Sequence, residues 1–164
     1  MRLALAQLNP VVGDLQGNAE RILAAARSAS AEGATLLLTP ELSLWGYPPR
    51  DLLLQPARLA LQSAVLEGLV AQLDGLCSLL VGVALPCDDE RAPGLYNGIA
   101  PVDQGGWRGV ARKQLLPSYD VFDERRYFRP GDGPCLLTLA GGERLGLTIC
   151  EDLWVEDALQ RERL

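Results

Sequence analysis

Three short apolar runs constrain this chain more than any other feature: RLALAQL at residues 2–8, TLLLT at 35–39 and CSLLVGVAL at 77–85. Continuous apolar runs of this length, bounded by turn residues, read as buried strands. Between the first two, residues 14–32 carry Leu15, Ile22, Leu23 and an alanine-rich stretch closed by Gly33, which predicts an amphipathic helix with a glycine stop. Between the second and third, residues 49–73 predict a short helical turn. A longer helix follows from about Pro56, with Leu59, Val65, Leu66, Leu69, Val70 and Leu73 as its apolar stripe. Strand, helix and strand in such short succession imply right-handed crossovers between parallel strands.

The pattern then changes. Residues 95–102 and 107–112 flank the turn Asp103-Gln104-Gly105-Gly106 and read as an antiparallel hairpin. Residues 114–132 mix prolines, aromatics and charges without either period, which predicts a long ordered loop of the kind that usually carries function. A second hairpin is expected from residues 135–139 and 143–149 around Gly141-Gly142, and a helix from residues 154–163. The class is α/β with mixed sheets.

Composition narrows the chemistry. The chain has 164 residues, 48% of them hydrophobic and 22% charged, enough for one folded domain. A net charge of −6 and a pI near 4.7 argue against nucleic acid or an anionic membrane as partner. No apolar run approaches the roughly 18 residues of a membrane span, and the N-terminal stretch is too short for a signal peptide, so the expected location is the cytoplasm. The four cysteines show no CxxC spacing and there is no histidine, so no metal site is expected. The absence of histidine also removes Ser-His and Cys-His nucleophile pairs. Any proton transfer must fall to a carboxylate or an amine. Of 15 basic residues only Lys113 is a lysine, so arginine carries the surface charge and the lone amine becomes a candidate for chemistry.

Three reactive residues lie just past strand ends, where α/β sheets place their sites. Glu41 follows TLLLTP, Lys113 follows WRGVAR, and Cys150 follows RLGLTI. They form a complete set without histidine. The carboxylate can take the thiol proton, the thiolate can attack a carbonyl-like carbon, and the ammonium, with a backbone N–H after the cysteine, can hold the oxyanion. Each residue alone has a plain structural reading: a turn carboxylate, a solvated lysine, a small core thiol.

TPELSLWGYPPRDLL from Thr39, RKQLLPSYDVFDERRYFRPG from Arg112 and GLTICEDLW from Gly146 resemble the three signature blocks of the nitrilase superfamily. GYPPRDLL and LPSYDVFDERRYF resemble in particular the glutamine-hydrolysing amidase domain of glutamine-dependent NAD synthetases. The resemblance runs over essentially the whole chain. It implies Glu41 as general base, Lys113 as oxyanion donor, Cys150 as nucleophile and Glu124 as the second glutamate that positions the lysine. It also implies that Tyr119, Phe122 and Glu151 line a glutamine pocket and that Tyr47 borders it. The aromatics could equally pin the loop, and Glu124 could be a surface ion-pair member.

The implied reaction is hydrolysis of the glutamine side-chain amide through a thioester, with no cofactor. ATP and Mg would serve only a synthetase domain that receives the ammonia, and no Ser-Gly-Gly-x-Asp-Ser-like pyrophosphate loop for such a domain occurs in the sequence. The implied fold is an α-β-β-α sandwich, expected here as its N-terminal portion only, because the complete fold needs roughly 260 residues or more. Intact catalysis by these residues alone is not expected, and a homo-oligomer is. Two other readings share the residues: a stand-alone amidase or nitrilase acting on another amide, and a non-catalytic fragment that pairs with another chain.

Overall fold

A computed structural model describes residues 1–89 and 91–154. Its elements in chain order are β1 (Leu3–Leu5), α1 (Leu15–Ala31), β2 (Leu36–Leu38), α2 (Pro56–Val70), β3 (Ser78–Pro86), β4 (Leu95–Asp103), β5 (Gly106–Trp107), β6 (Ala111–Arg112), β7 (Cys135–Thr138) and β8 (Arg144–Leu147). Single 3-10 turns lie at Arg50–Leu54, Glu124–Arg126 and Cys150–Leu153. The helix expected over residues 154–163 lies, from residue 155 onward, outside the described residues.

Both helical crossovers connect parallel neighbours: Leu3 pairs with Leu36, and Leu36 with Ser78. From β3 onward the sheet turns antiparallel, with Val81 opposite Ala100 and Ala84 opposite Asn97. The first sheet is therefore mixed, in the order β1-β2-β3-β4, with β5 and β6 both on the far side of β4. Alternate residues of β3 serve two layers, as the strand period demands. Leu79, Val81 and Val83 pack with Ile22, Leu66 and Leu69 of the helices. On the opposite face Leu36, Leu80, Ile99 and Ala111 pack against Leu137 and Ile149, which belong to the antiparallel pair β7–β8 and the segment after it. Among the described residues this makes helix, sheet, sheet: three layers of the expected four.

Two expectations are corrected. Residues 2–8 do not form a buried strand. Only Leu3–Leu5 is a strand, at the edge of the sheet, with Leu3 44% and Leu5 68% exposed. An apolar run shows that a strand can be buried but not which one ends a sheet. The returning strand of the first hairpin is also not continuous. Val102 pairs with Trp107, yet Ile99 pairs with Ala111, so residues 107–111 carry one residue more than the β4 segment they face. This is a β-bulge, and because side chains alternate faces, that extra residue reverses the direction of everything after it. Lys113 comes next.

Candidate active site

Glu41 sits on a loop held down on β3. The Thr39 hydroxyl donates to Leu80 O at 3.1 Å and accepts from Gly82 N at 3.2 Å, and Leu44 N donates to Gly82 O at 3.2 Å. Gly82 permits this crossing, since a Cβ there would run into Leu42 N and Pro40 O. The far side of the loop is pinned by Trp45, whose indole N–H donates to Gln62 Oε1 at 2.7 Å. The Gln62 amide in turn donates to Ala84 O at 2.7 Å. Gln62 is a buried polar residue on α2 that sequence periodicity does not single out.

Lys113 follows β6 directly. Its backbone N–H donates to Asn97 O at 2.8 Å and its carbonyl accepts from Gly131 N at 2.8 Å. The side chain is 0% exposed, which removes the solvated-lysine reading. Nζ donates to Glu41 Oε1 at 2.7 Å and to Glu124 Oε1 at 2.9 Å. Glu124, buried at the start of its 3-10 turn, also accepts the Tyr47 hydroxyl at 2.7 Å, and Asn97 Nδ2 donates to Glu41 Oε1 at 2.6 Å. Burial opposes the charge on Lys113, but the Glu41 and Glu124 carboxylates outweigh it and hold the ammonium protonated above its ordinary range. Burial pushes Glu124 up despite Lys113, and the same effect, helped by Glu124, pushes Tyr47 up. The surface ion-pair reading of Glu124 falls with its burial.

Cys150 sits at the tip of a turn with φ +49°, a left-handed conformation uncommon outside glycine, and its residue surface is exposed. Strained turns of this kind present nucleophiles at strand ends. Asp152 fastens the turn: Oδ1 accepts from Gln114 N at 3.0 Å and Leu115 N at 2.9 Å, and Oδ2 accepts from Ile149 N at 3.1 Å. The Cys150 turn is thus tied to the two residues that follow Lys113. Burial of the thiol, then the Glu41 charge, push Cys150 above the usual thiol range, while Lys113 pulls it down.

The expected pocket residues gather on one side. Tyr119 OH donates to Glu151 Oε2 at 3.0 Å, and Phe122 packs edge-on against Tyr119 at 5.6 Å and tilted against Tyr47 at 6.3 Å. Tyr119 and Glu151, with Gln114, Leu115 and Arg125, line an open cavity of about 560 Å³. Tyr47 differs from the other aromatics in that its hydroxyl is spent on Glu124. Contacts link the eight expected residues, with Asn97 and Asp152 beside them, but of the eight only Tyr119 and Glu151 line that cavity, while Tyr47, Phe122 and Glu124 line a separate one. Among the described residues no group of three or more Cys, Asp or Glu side chains is arranged to hold a metal ion, and no helix is long and apolar enough to cross a membrane.

The model of the carbon-nitrogen hydrolase family matches residues 2–161. The chain belongs to the carbon-nitrogen hydrolase family. This hydrolase chain is 43% identical over 159 residues to the glutamine-dependent NAD(+) synthetase of a Synechocystis strain, covering 95% of itself and 28% of that relative. Among solved structures it resembles glutamine-dependent NAD+ synthetase from Acinetobacter baumannii, with a TM-score of 0.76 and 32% identity over 98% of this chain and 29% of that one. It also resembles a mutant of the amidase from Nesterenkonia sp. AN1 that shows Michael addition of acrylamide at the active-site cysteine, with a TM-score of 0.73, 29% identity, and 92% and 57% coverage. These neighbours share the nitrilase-like fold, and the chain spans under a third of the synthetases it matches.

Proposed function

We propose that this carbon-nitrogen hydrolase chain cleaves the side-chain amide of glutamine by covalent catalysis. Glu41 takes the proton of Cys150 as the thiolate attacks the amide carbon. The Lys113 ammonium, with a backbone N–H after Cys150, steadies the oxyanion. Glu41 returns the proton to the nitrogen, ammonia leaves, and a thioester remains on Cys150. Water, deprotonated by Glu41, then releases glutamate and restores the thiol. Glutamine and water thus give glutamate and ammonia, with no cofactor.

The observation that carries this reading is the buried ammonium of Lys113, shared between Glu41 and Glu124 beside the Cys150 thiol. Such an arrangement is expensive to bury and has little structural use at a loop junction. Glu151, beside Tyr119 at the cavity edge, would meet the α-ammonium of the substrate. In the whole protein the ammonia would pass to a synthetase domain that makes NAD, as the names of the relatives suggest; ATP and Mg would serve that domain and not the amide hydrolysis. A second reading keeps the chemistry and changes the amide, favoured by the likeness to the Nesterenkonia amidase. Ammonia release measured on glutamine, asparagine and simple aliphatic amides separates the two. Preference for glutamine supports the first, and preference for an aliphatic amide selects the second.

A further inference from the structure

Asn97 lies within β4, opposite Ala84 of β3, and its side chain is wholly buried. A polar side chain in the middle of a buried strand costs stability unless it is fully paired. This one is only half paired. Nδ2 donates to Glu41 Oε1 at 2.6 Å, whereas Oδ1 has no partner among the described residues. The backbone of the same residue accepts Lys113 N at 2.8 Å. One strand position thus touches the carboxylate with its side chain and seats the lysine with its carbonyl.

Charge balance shows what the side chain does. Two carboxyl groups, Glu41 and Glu124, share the single ammonium of Lys113 in a place with little water. Each carboxylate receives one neutral donor in addition: the Tyr47 hydroxyl on Glu124 and the Asn97 amide on Glu41. The Lys113 and Asn97 donors converge on Glu41 Oε1. The groups facing Glu41 are therefore Asn97 from β4, Lys113 after β6, Glu124 from its turn, Tyr47 from the same loop and Cys150 from the turn after β8.

We propose that Asn97 is a positioning residue for the Glu41 carboxylate: by holding Oε1 it leaves Oε2 to take the Cys150 proton. This rests on Glu41 being the base.

The test is kcat/KM for glutamine against pH in the full-length protein carrying Asn97→Ala or Asn97→Asp. The acid limb reports the base in the free enzyme. Removing a hydrogen-bond donor from a carboxylate disfavours its charged form, so both variants should move the acid limb to higher pH, Asn97→Asp further because it adds a like charge. Activity at neutral pH should fall at least about tenfold, mostly in kcat. An acid limb left in place in both variants, or a loss confined to KM, overturns the proposal. If neither variant folds, the side-chain amide resonance of Asn97 in the wild type decides. It should shift across the acid limb of the activity profile and stop doing so in Glu41→Gln, and a resonance that never moves with pH overturns the proposal. Glu41→Gln also separates the two ideas. Abolished hydrolysis with unmoved Asn97 variants removes only the role of Asn97, whereas normal hydrolysis in Glu41→Gln removes the base and this proposal with it.

Discussion

Lys113 Nζ stands 2.7 Å from Glu41 Oε1, on a side chain with no solvent exposure at all. The pair joins a loop after β2 to the residue after β6, and Glu124 closes it from a third segment. Removing the cation leaves two carboxylates uncompensated. Lys113→Met should therefore cost about 3–5 kcal/mol of stability in denaturant unfolding, the range for breaking a buried pair. Lys113→Arg keeps the charge, but a planar guanidinium cannot stand in for a compact ammonium in a filled site. Turnover should fall at least about 10²-fold, the scale of losing one oxyanion donor. Near-normal turnover in Lys113→Arg would remove the lysine from the chemistry.

Glu41→Gln should act in opposite directions on two reactions of one thiol. The Glu41 charge is among the causes that raise Cys150, and Lys113 is the one that lowers it. Without the carboxylate the thiolate forms at lower pH, so alkylation of Cys150 by iodoacetamide at pH 8 should be faster than in the wild type. Hydrolysis of glutamine should be lost, because nothing takes and returns the proton. Slower alkylation in Glu41→Gln would contradict this electrostatic account.

Gly82→Ala tests the crossing of the Glu41 loop over β3. The added methyl meets backbone atoms of Pro40 and Leu42, which cannot rotate aside. A stability loss of about 1–3 kcal/mol is expected. Hydrolysis should suffer more than stability does, since the loop carries Glu41. A variant with wild-type melting and turnover would show that the loop has slack.

Glu124 has a pH signature with a definite sign. Its folded pKa lies above the ordinary carboxylate value because burial outweighs Lys113. A raised folded pKa favours folding below the unfolded value, and that advantage is lost as pH rises through the folded pKa. The charged side chain therefore carries a cost at neutral pH that a neutral one avoids. As pH rises above about 4, where an unfolded carboxyl ionises, the unfolding free energy of Glu124→Gln should improve relative to the wild type. The opposite slope would mean that Lys113 dominates over burial.

The crossovers and the strand-end placement of Glu41, Lys113 and Cys150 were legible because apolar runs and turn residues are local signals. Other features depend on partners distant in the chain. Nothing near Leu3 tells that β1 is an edge strand, and no local pattern announces the bulge that turns Lys113 inward. Asn97 did leave a trace in LYNGIAPV: a polar residue inside a buried run must find a partner, although the run cannot say which. Asp152 and Gln62 are readable only once the loops they fasten are in place.

The central claim is an acyl group on Cys150. The direct measurement is the intact and peptide mass of the protein quenched in acid during turnover of glutamine, with Cys150→Ala alongside. A glutamyl adduct confined to the Cys150 peptide, together with no ammonia release from Cys150→Ala, is the expected result. Ammonia released at an unchanged rate by Cys150→Ala, with no adduct on the wild type, would contradict the account.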